Sequence, residues 1–131
     1  MRILLDTNLL VLTPRFDLLP GGSHVLVTAA LCYAELLEGE FSAHAAVRAR
    51  APVQHMRAVE TFGEGLPFDH RAAVLYRAVC RASVDAGRSI GRARRIDLMV
   101  AAVALAHDCA VATRNRDDFA GLEGILQVMS L

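Results

Sequence analysis

The feature that most constrains this chain is a helix with no polar side. The stretch "RRIDLMVAAVALAHD" holds nine consecutive apolar residues at 98–106. Such a segment is apolar almost all round, and a helix of that kind must be covered on every side. It falls far short of the ~20 residues that span a bilayer, so its cover has to be protein. The covering elements are legible nearby. "CAVAT" at 109–113 reads as a short strand immediately after it, and "ILQVM" at 125–129 as a last one. Residues 2–5 read as a first buried strand and "HVLVT" at 24–28 as a second.

Helical patterns separate these strands. A short helix fits 8–12, stopped by Pro14. Thr28 is the expected N-cap of a helix that ends at Gly39. Residues 42–62 carry helical periodicity, with Pro52 expected to split or kink them. A loop follows, with a short strand near 66–68. Residues 69–86 are amphipathic, with Ala73, Tyr76, Val79, Cys80, Ser83 and Val84 on the inward face. Strands alternating with helices predict an α/β fold, a parallel sheet covered on both faces. The 131 residues suffice for one domain, 1–131.

Composition removes several chemistries. The 14 cations balance 14 acids, and every cation is arginine. Without lysine there is no P-loop and no Schiff base. The three cysteines, Cys32, Cys80 and Cys109, are odd in number, widely spaced and set among apolar residues. That pattern predicts buried thiols rather than a disulfide framework or a zinc site. The five histidines show no paired ligand spacing and read as surface or loop residues. No serine sits in a nucleophile elbow. The start of the chain lacks the long apolar region of a signal peptide, so a cytoplasmic protein without a membrane segment is expected.

The acids carry the functional signal. Asp6 ends the first strand, Glu35 lies about two turns into the second helix, and Asp97 is placed in the first turn of the buried helix. Asp117 and Asp118 follow "CAVAT". In a parallel sheet, strand ends and the starts of following helices share one edge, where such folds bind ligands. Each acid also has a plainer role: Asp6 as a helix cap, Glu35 as a surface acid, Asp97 as a complement to the helix dipole, Asp118 as a loop residue. Glu35 and Asp97 are nevertheless embedded in apolar sequence. Clustered carboxylates raise one another's pKa and persist most easily around a divalent cation. An oxygen-rich site suits Mg²⁺ or Mn²⁺. Thr7 and Asn115 add a hydroxyl and an amide at the same edge.

Four segments in series, "ILLDTNLL", "ELLEGE", "RRIDLMVAAVALAHD" and "VATRNRDDF", resemble the PIN-domain family, and more closely the VapC-type toxins of VapBC toxin–antitoxin pairs. The resemblance spans essentially the whole chain. It implies a three-layer α/β/α sandwich around a parallel sheet and RNA cleavage dependent on Mg²⁺ or Mn²⁺. It further implies a homodimer and a VapB-type antitoxin that occludes the site. Carried over by motif, Asp6, Glu35 and Asp97 match the family's acids. For the fourth, Asn115 stands where some relatives carry an acid and Asp118 where others do. Asp118 is taken, with Asn115 assisting and Asp117 as the spare, and the number of metal ions stays open. Arg92, Arg94 and Arg95, with Arg114 and Arg116, are the expected contacts to RNA phosphates. Arg94 and Arg95 pairing with the acidic edge, or with an antitoxin carboxylate, is the competing reading.

Two other functions compete. A phosphatase or receiver-like domain would use Asp6 as a nucleophile, but the second Asp such phosphatases carry is here Asn8, and the receiver lysine is missing. A catalytically inactive PIN-like module for dimerisation or partner binding is the non-enzymatic alternative.

Overall fold

A four-stranded sheet of order β2-β1-β3-β4 forms the centre of the computed structural model, which describes residues 1–11 and 16–131. Its strands are β1 (Arg2–Leu5), β2 (Val25–Thr28), β3 (Ala110–Thr113) and β4 (Val128–Ser130). All pairings are parallel, with Leu4 facing Val27 on one side and Val111 on the other. Parallel strands need helical crossovers, and five helices are described: α1 (Thr7–Leu10), α2 (Ala30–Glu38), α3 (Ala45–Phe62), α4 (His70–Asp85) and α5 (Arg92–Ala106).

Side chains alternate across each strand, which divides the core in two. Leu4, Val111 and Val128 join α5, where Leu98 and residues 100–104 are fully buried, together with Val79 of α4. On the opposite face Ile3, Leu5 and Ala112 meet Leu9 of α1 and Phe62 of α3. The α/β architecture expected from the sequence is therefore present, with the apolar helix covered as its composition requires. Tyr33 and Leu36 of α2 pack with Ala58 to seat α3.

Several local expectations change. Thr28 does not cap α2. It is the last residue of β2, buried, and its hydroxyl donates to the Leu5 carbonyl at 2.8 Å. The N-cap is Ala29, and the first free amide of the helix, that of Ala30, reaches the Leu66 carbonyl at 2.9 Å. The strand expected near 66–68 is reduced to this one bridge between Ala29 and Leu66.

Pro52 does not split α3, although it leaves the Arg48 carbonyl without its helical amide. Both halves are anchored on α2: Ala51 and Ala58 are buried, and the Tyr33 hydroxyl donates to the carbonyls of Ala58 (3.2 Å) and Gly63 (2.7 Å). The inward face of α4 is rotated from the expected one. Ala72, Val79 and Ser83 are buried, while Ala73 and Val84 are exposed. Helix α5 begins at Arg92, so Asp97 lies in its second turn, too deep to serve as a dipole-complementing first-turn acid. Helix α1 starts and ends earlier than expected, and the Pro14 stop lies outside the described residues. Among the described residues no helix is long and apolar enough to cross a membrane.

Candidate active site

Asp6 stands where β1 ends. Its amide still bonds to the Ala112 carbonyl, so its backbone completes the sheet ladder. Its side chain also caps α1, accepting from the Thr7 amide at 2.9 Å. Capping and placement at the sheet edge are one arrangement here, not alternatives. The residue is only 3% exposed. Its second oxygen accepts from the Thr113 hydroxyl at 2.9 Å and from the Asn8 amide at 3.3 Å. Asn8 in turn accepts from the Arg114 amide at 3.1 Å, tying α1 to the loop after β3.

Helix α2 brings Glu35 to the same edge. Its Oε1 accepts from the Thr7 hydroxyl at 2.8 Å. Ligand atoms of Asp6, Glu35 and Cys32 all lie within 4.8 Å of one another. The Cys32 thiol is held neutral: burial, then the charge of Asp6, pushes its pKa up to about 12. The oxygens of Asp6 and Glu35 are thus the usable donors of that group.

Asp97 and Asp118 complete the edge from α5 and from the 3₁₀ turn Arg116–Phe119. They lie outside the tight group yet feel it. Burial raises Asp97, and the charges of Asp118, Asp6 and Glu35 raise it further, to about 7, with Arg94 opposing. Asp6 and Glu35 are raised for the same first reason, and both also feel Asp118. Asp118 is raised by partial burial and by Asp117, and its Oδ1 accepts from the Asn115 amide at 2.9 Å. Asp117 points elsewhere, into an exposed ion pair with Arg88 at 3.3 Å. Among the described residues none of Asp6, Glu35, Asp97 or Asp118 makes an ion pair. The four acids feel one another's charge, and Arg94 offsets the repulsion only in part, at Asp97 and Asp118. Hard carboxylate oxygens are the donor set that Mg²⁺ or Mn²⁺ prefers.

The arginines divide. Arg92, Arg95, Arg114 and Arg116 are exposed. Arg94 turns inward: it donates to the Ser83 hydroxyl at 2.6 Å and to the Ala120 carbonyl at 3.0 Å, and approaches the Asp118 carbonyl at 3.5 Å. Ser83 is fully buried and itself donates to the Arg88 carbonyl. This cluster clamps the turn that carries Asp118 onto α4 and α5. From sequence alone Thr113 and Asn8 have no role at the site, Ser83 sits on an inward face without a partner, and Arg94 turns toward the acidic edge only in the competing reading. Asn8 had a visible signal, two residues after Asp6 in "DTN", whereas Thr113 looked like any strand residue.

No protein-family model and no curated protein matches the chain. Solved structures do. The crystal structure of VapBC-5 from Mycobacterium tuberculosis, a member of the VapBC family of toxin–antitoxin systems, superposes with a TM-score of 0.80. The two share 28% identity over 99% of this chain and 98% of that one. The chain thus resembles a VapBC-family structure over nearly its whole length and has the PIN-like α/β fold. Two further structures show the same fold. VapBC-1 from nontypeable Haemophilus influenzae gives a TM-score of 0.73 at 24% identity, over 99% of this chain and 98% of that. FitAcB from Neisseria gonorrhoeae gives 0.68 at 24%, over 98% and 96%. The VapC-type resemblance read from the four sequence segments agrees with these structures in fold.

Proposed function

We propose that this VapC-type chain is the toxin of a type II toxin–antitoxin pair, an endoribonuclease dependent on Mg²⁺ or Mn²⁺ that hydrolyses RNA phosphodiester bonds. It would act in the cytoplasm as a homodimer restrained by a VapB-type antitoxin. The observation that carries this reading is the proximity of Asp6, Glu35, Asp97 and Asp118 with none of them in an ion pair among the described residues.

Asp6, Glu35 and Asp97 are the proposed metal-holding residues, with Asp118 supporting. A bound divalent ion neutralises the acids, lowers the pKa of water and stabilises the leaving oxygen in such hydrolysis. The chain's own side chains prepare the site. The Thr7 hydroxyl orients Glu35, Thr113 and Asn8 orient Asp6, and Asn115 orients Asp118. One carboxylate takes the proton of the attacking water. Arg92, Arg95, Arg114 and Arg116 are free to lie along the phosphate backbone, while Arg94 positions the Asp118 turn.

The test is cleavage of total cellular RNA by the purified, antitoxin-free chain with Mn²⁺ or Mg²⁺, beside EDTA and Asp97→Asn controls, with RNA ends mapped. Discrete cuts lost in both controls are expected. Cuts that survive Asp97→Asn would refute the site. Metal binding without any cleavage would favour the inactive partner-binding module.

A further inference from the structure

One end of the acidic edge opens into a groove between α2 and α3 of about 300 Å³, lined by Thr7, Glu35, Leu36, Val47, Arg50 and Gln54 among others. That volume is at the low end of ligand sites, which run ~300–1,000 Å³. Glu35 and Thr7 are the residues already placed in the site, so the groove is continuous with it. A larger groove of about 600 Å³ follows the outer face of α4 past Val74, Arg77 and Arg81, but none of the acids lines it.

The α3 wall is polar in a specific way. Arg50 and Gln54 stand one helical turn apart and so share a face. Neither side chain makes a hydrogen bond or an ion pair among the described residues. Arg50 is the one cation among the groove's described lining residues. Gly39 lets α3 pack closely at the floor: a Cβ there would sit 2.9 Å from the Ala51 Cβ and 3.5 Å from Val47. The groove therefore has a carboxylate at one end, a free guanidinium on its wall, an unpaired amide beside it and an apolar floor.

We infer that this groove is a nucleotide subsite, holding the residue of RNA that adjoins the scissile bond, with Arg50 on its phosphate and Gln54 on its base edge. The inference rests on the ribonuclease reading and names where that substrate lies. A polyanion entering an acidic edge needs a cation beside its path, and the planar guanidinium suits phosphate oxygens. A side-chain amide can both donate to and accept from a base. The apolar floor of Leu36 and Val47 suits the flat face of a base. A purely apolar protein segment would leave Arg50 and Gln54 without partners.

The experiment uses the full chain and a pool of fluorescein-labelled, random-sequence single-stranded RNA dodecamers, with binding followed by anisotropy in Ca²⁺ across a salt series. Arg50 is exposed on a helix, and alanine is the best helix former, so Arg50→Ala should fold. Loss of one phosphate contact is expected to weaken binding roughly tenfold at low salt and to flatten the logarithmic salt slope by about 0.7. In mapped cellular RNA, Gln54→Ala should change the base frequencies at one position flanking the cut. An Arg50→Ala chain with wild-type affinity and slope overturns the inference while leaving the ribonuclease reading intact. If that variant keeps its RNA affinity but loses its antitoxin, the groove belongs to protein and the inference fails. A wild-type chain that neither binds nor cuts RNA overturns both.

Discussion

Replacing Asp97 by asparagine should make the metal-free protein more stable, not less. In the folded chain the Asp97 carboxyl titrates near 7, against 3.8 for the unperturbed group, because burial and then the charges of Asp118, Asp6 and Glu35 oppose its ionisation. A carboxyl whose folded pKa is raised binds its proton more tightly in the native state. Native stability is therefore highest at low pH and is lost as pH rises from about 4 to about 7. The gap of roughly three pH units corresponds to ~4 kcal/mol at 1.36 kcal/mol per unit. Solvent screening at a half-buried position reduces this to about 2 kcal/mol. Asparagine has the shape of the protonated acid and escapes the penalty. Somewhat more than half of the effect falls between pH 5 and pH 8, about 1 kcal/mol, which widens the variant's Tm advantage by about 4 °C for a chain of this size. The assay is thermal unfolding followed by circular dichroism in EDTA at both pH values. With Mn²⁺ added the order should reverse, because a cation that binds only the native state stabilises it in proportion to its affinity, and a neutral amide is a weaker ligand than the carboxylate it replaces. Identical Tm values for the two proteins at every pH in EDTA would falsify the account of crowded acids.

Thr113→Val removes the hydroxyl that donates to the buried Asp6 carboxylate and should cost about 1–3 kcal/mol. Urea unfolding measures it, and a midpoint equal to wild type would mean that the hydroxyl does not support the buried carboxyl. Ser83→Ala takes the buried acceptor from Arg94 and should also cost about 1–3 kcal/mol. Arg88→Ala, which breaks only the exposed pair with Asp117, should cost less than ~1 kcal/mol. Denaturant midpoints in the reverse order would refute the clamp. Gly65→Ala would place a Cβ 2.5 Å from the Ala30 amide nitrogen, where the loop caps α2. The collision is with backbone, so a loss of about 1–3 kcal/mol is expected, with a Tm close to wild type as the contrary result.

The sequence reading worked where period and burial agree. Residues 98–106 could only be a covered helix, and the β1 bounds Arg2–Leu5 follow from an apolar run that stops at a carboxylate. It failed where tertiary partners replace local ones. Thr28 has the chemistry of a cap, but its hydroxyl has a better buried acceptor in the Leu5 carbonyl, and the helix's first free amide is met by the distant Leu66 carbonyl. Pro52 is a breaker in isolation, but a helix pinned through Tyr33 tolerates it. Glu35 and Asp97 stand out as carboxylates in apolar sequence and Asp6 as the stop of a strand, whereas Asp118, in the polar loop "TRNRDDF", is picked out by the resemblance. Thr113 was not legible, since a buried hydroxyl is identified by its partner, and its partner Asp6 lies at the far end of the chain.

The supporting polar groups show why the acids stay poised rather than neutralised. Asp6 is held by a threonine hydroxyl and an asparagine amide, Glu35 by a threonine hydroxyl, and Asp118 by an asparagine amide. Neutral donors fix the direction of a carboxylate without cancelling its charge. The nearest cation, Arg94, lowers the pKa values of Asp97 and Asp118, yet its hydrogen bonds go to Ser83 and backbone carbonyls. An ion pair at this edge would lift the repulsion, relax Asp97 toward its ordinary pKa and stabilise the folded chain. The arrangement instead leaves the repulsion largely in place; on the proposed reading a bound cation would relieve it, so the same contacts that weaken the metal-free fold would strengthen its hold on the ion.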